Sequence, residues 1–139
     1  MSTSTTDIKI MDVLLSPDCV PMVQQTTLLK QVLEEMNKFR LGVACIVDDD
    51  EKLIGIFTDG DIRRLLLKSQ KPFAALFVDD IIQHANTSPA TISGNASLQE
   101  GIILMEEKEI WDLPVVSENG STFLGLLHLH PAIKAVMDI

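Results

Sequence analysis

The chain has few cysteines, few basic residues and no long apolar run, and each shortage excludes a class of protein. Its 139 residues include two cysteines, Cys19 and Cys45, which form no disulfide framework and fit reduced thiols in the cytoplasm. Lys and Arg number 11 against 20 Asp and Glu, and the net charge of −9 argues against nucleic acid or an anionic membrane as partner. No apolar run approaches the roughly 20 residues of a membrane-spanning helix.

The residues that are present indicate a folded soluble protein with one sizeable core. Apolar residues make up 46% of the chain and charged residues 22%. The N-terminus lacks a basic region followed by an apolar block, so no secretion signal is expected. Residues 1–69 contain eight Lys or Arg and eleven Asp or Glu, whereas residues 70–139 contain three and nine. An anionic ligand is therefore expected to prefer the first half.

Two stretches of the chain follow the same pattern about 70 residues apart. Each begins with apolar residues at helical spacing, and Ser97 with Glu100 has the pattern of a capping box at the second helix. A β-hairpin follows, and the second hairpin turns at Asn119-Gly120. A closing helix ends each stretch. The predicted helices are residues 27–41, 61–69, 97–110 and 131–137, and the predicted strands are 43–47, 53–57, 113–116 and 123–127.

The repeat predicts an α/β protein with two copies of one unit. Residues 10–69 form the first copy and residues 78–139 the second, and each contains a helix, a β-hairpin and a closing helix. Short lead-in strands are expected at residues 10–14 and 78–82. Residues 70–77, broken by Pro72, form the linker, and residues 1–9 are expected to be frayed.

A candidate ligand site lies where the second strand of the first copy meets its closing helix. Thr58 supplies a hydroxyl at the strand end, and Asp61 supplies a carboxylate in the first helical turn. Backbone N–H groups of the turn lie next to the helix dipole, so the site suits ribose and phosphate. Asp59 and Arg63 belong to the same stretch, and Arg64 follows. The alternative is that Thr58 and Asp61 merely cap the helix.

The segment from Gly55 to Asp61 resembles the ligand signature of CBS domains: a glycine, two apolar residues, Ser or Thr, two residues, then Asp. The resemblance implies that Thr58 and Asp61 hold the ribose and phosphate of a nucleotide. It also implies a tandem pair of CBS repeats with pseudo-twofold symmetry. In such pairs each cleft combines the motif of one repeat with residues of the other. That arrangement would bring Ile110, Trp111 and Pro114 towards the site.

The second repeat departs from this signature. His128 stands where the hydroxyl is expected and Pro131 where the carboxylate is expected, so the second cleft is expected to lack the ribose contacts. Trp111 is open to three interpretations: stacking on a base, core packing or an interface. His128 and His130 alternate at a strand end and suggest a zinc site, but His84 is the only other histidine. We therefore expect no metal site.

A narrower resemblance is to the C-terminal CBS region of bacterial arabinose-5-phosphate isomerases, enzymes of the 3-deoxy-octulosonate (Kdo) branch of lipopolysaccharide synthesis. It is carried by the segment from Gly55 to Arg64 and by the stretch from Leu124 to His130. In those enzymes an N-terminal sugar isomerase (SIS) domain performs the chemistry, and nothing in this sequence corresponds to it. Pro131 replaces an acidic residue expected after the two histidines. The resemblance implies a non-catalytic part or relative of such an enzyme.

Two functions follow from these observations. In the first, the chain is a cytoplasmic, non-catalytic regulatory module without a cofactor, and its regulatory ligand is an adenine or cytidine nucleotide, or the nucleotide sugar CMP-Kdo. Its partner would be an attached or separate isomerase domain. In the second, it is an interaction module that dimerises a partner without binding a ligand. The contiguous Leu65, Leu66 and Leu67 of the closing helix predict a homodimer in either case.

Overall fold

The computed structural model describes residues 8–137, which form two compact units. The first unit is Cys19–Pro89, and the second combines Met1–Asp18 with Ala90–Ile139. Residues 1–7 and 138–139 lie outside the described residues, so the predicted fraying concerns a segment of which only residues 8 and 9 are described. No helix within residues 8–137 has the length and apolar character needed to cross a membrane.

The first unit is built on a three-stranded sheet of β1 (Met22–Val23), β2 (Val43–Val47) and β3 (Leu53–Thr58), in that order. β1 runs parallel to β2, and β2 and β3 form the predicted antiparallel hairpin. Its helices are α1 (Leu29–Phe39), α2 (Asp59–Lys68) and the short α3 (Phe73–Leu76). All five residues of β2 are buried because α1 and α2 both contribute apolar side chains to the core of this sheet.

The second unit repeats this arrangement with β4 (Ile92–Ser93), α4 (Leu98–Lys108), β5 (Asp112–Val116), β6 (Phe123–His128) and α5 (Leu129–Met137). The sheet order is β4-β5-β6, again with one parallel and one antiparallel pair. At the start of α4 the predicted capping box is confirmed, since the Ser97 N–H donates to Glu100 Oε2 at 2.9 Å and the Glu100 N–H donates to Ser97 Oγ at 3.2 Å. The predicted α/β architecture of two like repeats is confirmed.

The positions predicted for the lead-in strands are wrong. Residues 10–14 and 78–82 contain short 3-10 helices at Ile10–Asp12 and Ile81–Gln83. Each 3-10 helix buries one isoleucine completely, Ile10 in the first and Ile81 in the second. Because one buried residue sets no alternation of buried and exposed positions, these segments need not be strands. The strands that lead into the first helices are β1 and β4. With two residues each, they are too short to show alternation in the sequence.

Each sequence repeat contributes its lead-in segment to the unit of the other repeat. Ile10, which precedes the first repeat's helix, lies in the core of the second unit. Ile81, which precedes the second repeat's helix, lies in the core of the first unit. The compact units therefore do not coincide with the sequence repeats, because each lead-in segment packs against the sheet of the other repeat.

The glycine of each repeat's second strand lies against a crossing backbone segment. Asn86 exchanges two backbone hydrogen bonds with Ile56, both 2.9 Å long, beside Gly55. A Cβ atom on Gly55 would lie 2.7 Å from the carbonyl oxygen of Asn86. In the second unit a Cβ on Gly125 would lie 2.4 Å from the carbonyl oxygen of Leu15. Glycine is required at both positions because the crossing segment leaves no room for a side chain.

Candidate functional site

Thr58 ends β3 and is the N-cap of α2. Its extended backbone (φ −122°, ψ 167°) points the side chain back over the first helical turn, where Thr58 Oγ1 accepts from the Asp61 N–H at 3.2 Å. The Asp61 carboxylate in turn accepts from the Thr58 N–H at 2.9 Å. The helix-cap interpretation is thus confirmed, and the two residues of the motif are held together by the start of α2.

The Asp61 carboxylate accepts further hydrogen bonds besides the one from the Thr58 backbone. Its Oδ2 accepts from Thr58 Oγ1 at 3.0 Å, and its Oδ1 accepts from Arg64 Nη2 at 2.7 Å. The Asp61 side chain is 18% exposed, whereas that of Arg64 is 55% exposed. A hydrogen-bonded, partly buried carboxylate at a helix N-terminus therefore lies beside an exposed guanidinium, and this pair suits a phosphate ester that also carries hydroxyl groups.

The sequence predicted Arg63 as a site residue and noted Arg64 only as following it. The structure places Arg64, three residues after Asp61, in contact with the carboxylate. Arg63 is exposed on α2, two residues after Asp61, where helical geometry points it to a different face. The three-residue spacing on a helix is the signal that could have identified Arg64.

Asp59 lies next to Gly42 and the C-terminal end of α1. Its backbone N–H donates to the carbonyl oxygen of Gly42 at 3.0 Å, and a Cβ on Gly42 would lie 2.6 Å from Asp59 Oδ2. Gly42 immediately precedes β2, and the Asp59 side chain would have to shift to admit a Cβ there. Asp59 also lines a cavity of about 320 Å³ beside the C-terminal end of α1, together with Leu33, Met36, Asn37, Arg40, Leu41 and Gly42.

The remaining predicted site residues, Ile110, Trp111 and Pro114, belong to the second unit, so their predicted approach to Thr58 and Asp61 stays a prediction. Trp111 is 72% exposed, which excludes the core interpretation and leaves stacking or an interface. Pro114 is buried in the central strand β5. In the first unit the Cys45 N–H at the equivalent position donates to the Pro21 carbonyl, and Pro114 has no N–H for such a bond.

In the second unit a carboxylate lies beside His128 although Pro131 cannot supply one. Asp112 of β5 pairs with His128 of β6 across the hairpin, and Asp112 Oδ1 lies 2.6 Å from His128 Nδ1. The two side chains are 14% and 26% exposed. Pro131 still leaves the motif position itself without a carboxylate, and the expectation that the second cleft lacks the ribose contacts stays a prediction. Asp112 lies 16 positions before His128, outside the motif, so the motif spacing did not predict this pair.

The three histidines do not form a metal site in the part of the chain that the structure describes. His128 ends β6 and His130 lies in α5, so they do not alternate on one strand as the sequence analysis assumed. His84 lies in the first unit, with Nε2 2.9 Å from Asp79 Oδ2. Within residues 8–137 no cluster of three or more His, Cys, Asp or Glu side chains has the arrangement of a metal site.

A charged cluster that sequence reasoning missed joins the linker to the first unit. Lys71 Nζ donates to both carboxylate oxygens of Asp79, at 2.8 and 3.0 Å, and His84 Nε2 contacts Oδ2 of the same carboxylate. The hydrogen bonds from Lys71 and His84 hold the pKa of Asp79 below its usual value. The backbone carbonyl of Asp79 accepts from the Leu29 N–H, so this cluster also completes the N-terminus of α1.

Comparison with known families agrees with this architecture. The sequence model of the CBS domain matches residues 10–68 and again residues 78–137. The chain belongs to the CBS domain family. As two CBS domains in tandem, it is a regulatory module in its architecture, and these two matches account for nearly the whole described chain.

Three similar proteins place this CBS pair among known ones. An uncharacterized protein of Rickettsia prowazekii is 32% identical over 126 residues, which cover 91% of this chain and 37% of that protein. Arabinose 5-phosphate isomerase KdsD of Escherichia coli is 28% identical over 134 residues, covering 92% of this chain and 37% of the enzyme. The crystal structure of CBSX2 from Arabidopsis thaliana in complex with AMP has the same fold, with a TM-score of 0.81, 21% identity and coverage of 94% and 97%. The chain thus spans little more than a third of those two sequence relatives.

Proposed function

We propose that this CBS pair senses a nucleotide, whose ribose and phosphate bind at Thr58 and Asp61. The observation that carries the proposal is the carboxylate of Asp61, fixed by the Thr58 N–H and Thr58 Oγ1 at the start of α2. A ribose hydroxyl is a donor that such a carboxylate accepts, and the N-terminus of a ten-residue helix favours a phosphate. CBSX2, which has the same fold, has been crystallised with AMP.

Charge supports the choice of this site for an anionic ligand. The protein carries a net charge of −9, which repels anions in general. Arg63 and Arg64 follow the motif on α2, and the guanidinium of Arg64 lies directly beside Asp61. Arg63 and Arg64 balance the charges of Asp59 and Asp61 in the first turns of α2, so a phosphate meets no net negative charge from these four residues.

Among nucleotides, an adenine nucleotide is the ligand that we propose first, because AMP is the ligand of the CBSX2 complex. A cytidine nucleotide and CMP-Kdo are the alternatives, and they rest on the similarity to the E. coli isomerase at 28% identity. All three share a ribose and a phosphate. The same binding measurement, repeated with AMP, CMP and CMP-Kdo, therefore ranks them.

Isothermal titration calorimetry with AMP tests the proposed site. Asp61→Ala removes a charged acceptor, a change worth about 1.5–3 kcal/mol, so AMP should bind roughly ten- to a hundredfold more weakly. Asp49→Ala, which removes an exposed carboxylate in the β2–β3 turn, is the control and should leave the affinity unchanged. Unaltered AMP affinity in Asp61→Ala, or a stoichiometry of two equivalent sites, would contradict the proposal.

We further propose that the bound state regulates a sugar-phosphate isomerase domain and that this chain does not itself isomerise sugars. The proposal rests on the similarity to the E. coli isomerase, of which the matched region covers 37%. Aldose–ketose isomerisation needs a base held against a sugar carbon, but Asp61 is occupied by Thr58 and Arg64. Turnover of arabinose 5-phosphate by the purified chain, measured by ribulose 5-phosphate formation, should not exceed background. Activity that disappears in Asp59→Asn would refute this part.

The second candidate, an interaction module in the cytoplasm, is favoured by exposed leucines on α2. Leu66 is 43% exposed and Leu67 is 81% exposed, whereas Leu65 packs against the core. Leucines exposed in this way are expected to be covered by a second copy of the chain. Light scattering at micromolar concentration should therefore report a homodimer, and Leu67→Glu should shift it to a monomer. A monomeric wild-type protein would exclude the dimer.

A further inference from the structure

Arg64 donates a hydrogen bond to a carboxylate oxygen of Asp61 to which the hydroxyls of a bound ribose would also donate. A carboxylate offers about four lone-pair positions to donors. Thr58 uses two of them on Oδ2 through its N–H and its hydroxyl, at 2.9 and 3.0 Å, and Arg64 Nη2 uses a third on Oδ1 at 2.7 Å. About one position remains. The 2′,3′-diol of a ribose brings two hydroxyl donors, so both cannot bind Asp61 while Arg64 stays in place.

The guanidinium of Arg64 is positioned so that it can move away from Asp61. Its side chain is 55% exposed, and the guanidinium lies across the α-carbon of Gly60, where a Cβ would be 3.1 Å from Nη1. When the pair separates, water solvates the guanidinium and the Asp61 carboxylate keeps its hydrogen bonds from Thr58, so the pair contributes little to stability. A phosphate group, by contrast, binds a guanidinium through two parallel charged hydrogen bonds. The Thr58 N–H donor belongs to the capping box and cannot leave without fraying α2.

Building on the nucleotide site proposed above, we propose that Arg64 makes ribose binding depend on phosphate. The phosphate of a nucleotide draws the guanidinium away from Asp61 Oδ1, and the ribose diol takes the acceptor positions that are freed. A nucleoside has no phosphate and must compete with Arg64 for the same oxygen. Arg64 is therefore a specificity residue that selects nucleotides over nucleosides through an exchange of partners, in addition to its direct attraction for the phosphate.

Calorimetric titration of the full chain with AMP and with adenosine tests the exchange, because the two ligands differ only in the phosphate. In Arg64→Gln the AMP affinity should fall about tenfold, since a charged contact is lost, and the adenosine affinity should rise about two- to fivefold, since Asp61 is released. The matched control is Arg63→Gln, which removes the same charge two residues after Asp61, where the side chain does not face the carboxylate. It should leave the adenosine affinity unchanged.

The rise in adenosine affinity is the result that distinguishes the proposal. A purely phosphate-binding arginine would leave adenosine unchanged in Arg64→Gln, and a purely structural one would weaken both ligands; either result overturns the exchange.

A measurement without nucleotide separates this proposal from the nucleotide site itself. Inorganic phosphate is titrated into the wild-type protein while the ¹³Cγ resonance of Asp61 is followed by NMR. A saturable change in that resonance, lost in Arg64→Gln and retained in Arg63→Gln, supports the exchange even if neither AMP nor adenosine binds, in which case the nucleotide proposal alone fails. No change in the wild-type resonance with phosphate refutes the exchange even if AMP binds.

Discussion

Replacing Gly55 with alanine tests whether the glycine of the motif is required by a crossing backbone. The added Cβ would lie 2.7 Å from the carbonyl oxygen of Asn86, and ordinary contact begins near 3.4 Å, so the segment must move. Asn86 is fixed by two hydrogen bonds to Ile56, both 2.9 Å long, which that movement would stretch. Overpacking of this kind costs about 1–3 kcal/mol, and the smaller unfolded-state entropy of alanine offsets about 0.4–1 kcal/mol.

Gly55→Ala should therefore lower the free energy of unfolding by about 1–2 kcal/mol, and strain on the hydrogen bonds adds to that loss. The assay is urea unfolding followed by far-UV circular dichroism, with the change taken from the midpoint at constant slope. Gly60→Ala is the matched control. Residue 60 lies in the first turn of α2, and its nearest neighbour is the flexible end of Arg64, so alanine should stabilise the helix by up to about 1 kcal/mol.

The two glycines thus carry opposite predictions for the same chemical change. If Gly55→Ala is as stable as the wild type, the backbone at Asn86 moves aside without loss of stability, and the steric explanation of the motif glycine is wrong. If Gly60→Ala is the more damaging of the two, the helix start is more tightly packed than the distances to Arg64 indicate.

Two further predictions concern the cap of α2 and the linker cluster. Thr58→Ala removes the hydroxyl that caps the Asp61 N–H and should lower the free energy of unfolding by about 0.5–2 kcal/mol, as measured by thermal unfolding. Thr58→Ser keeps a hydroxyl and should retain most of the wild-type stability. Equal losses in both variants would show that the hydroxyl does not stabilise the helix start. Because Lys71 and His84 hold the pKa of Asp79 below its usual value of 3.8, the ionised carboxylate stabilises the folded state. The stability advantage of the wild type over Asp79→Asn should be complete at pH 7 and decline as the pH falls through 4 towards 3, and an advantage independent of pH would contradict this.

Much of the candidate site could be predicted because it is local. Thr58 and Asp61 are three residues apart at a strand-to-helix turn, and that spacing alone brings a hydroxyl and a carboxylate together. The same argument applied to Asp61 and Arg64 would have identified the arginine that contacts the carboxylate. The sequence analysis named Arg63 as a site residue from its charge and its place after the motif, and charge does not indicate which face of a helix a residue occupies.

The sequence by itself determined the two repeats, their helices and hairpins and the position of the motif, because periodicity and caps depend on neighbours within one or two turns. Only the tertiary structure decided which segments lie together. The crossing of Asn86 over Gly55, the exchange of lead-in segments between repeats and the Asp112–His128 pair join residues far apart in the chain. Such contacts depend on how whole elements bury their apolar surfaces, and a two-residue strand such as β1 has no pattern of its own until the neighbouring strand β2 provides its hydrogen bonds.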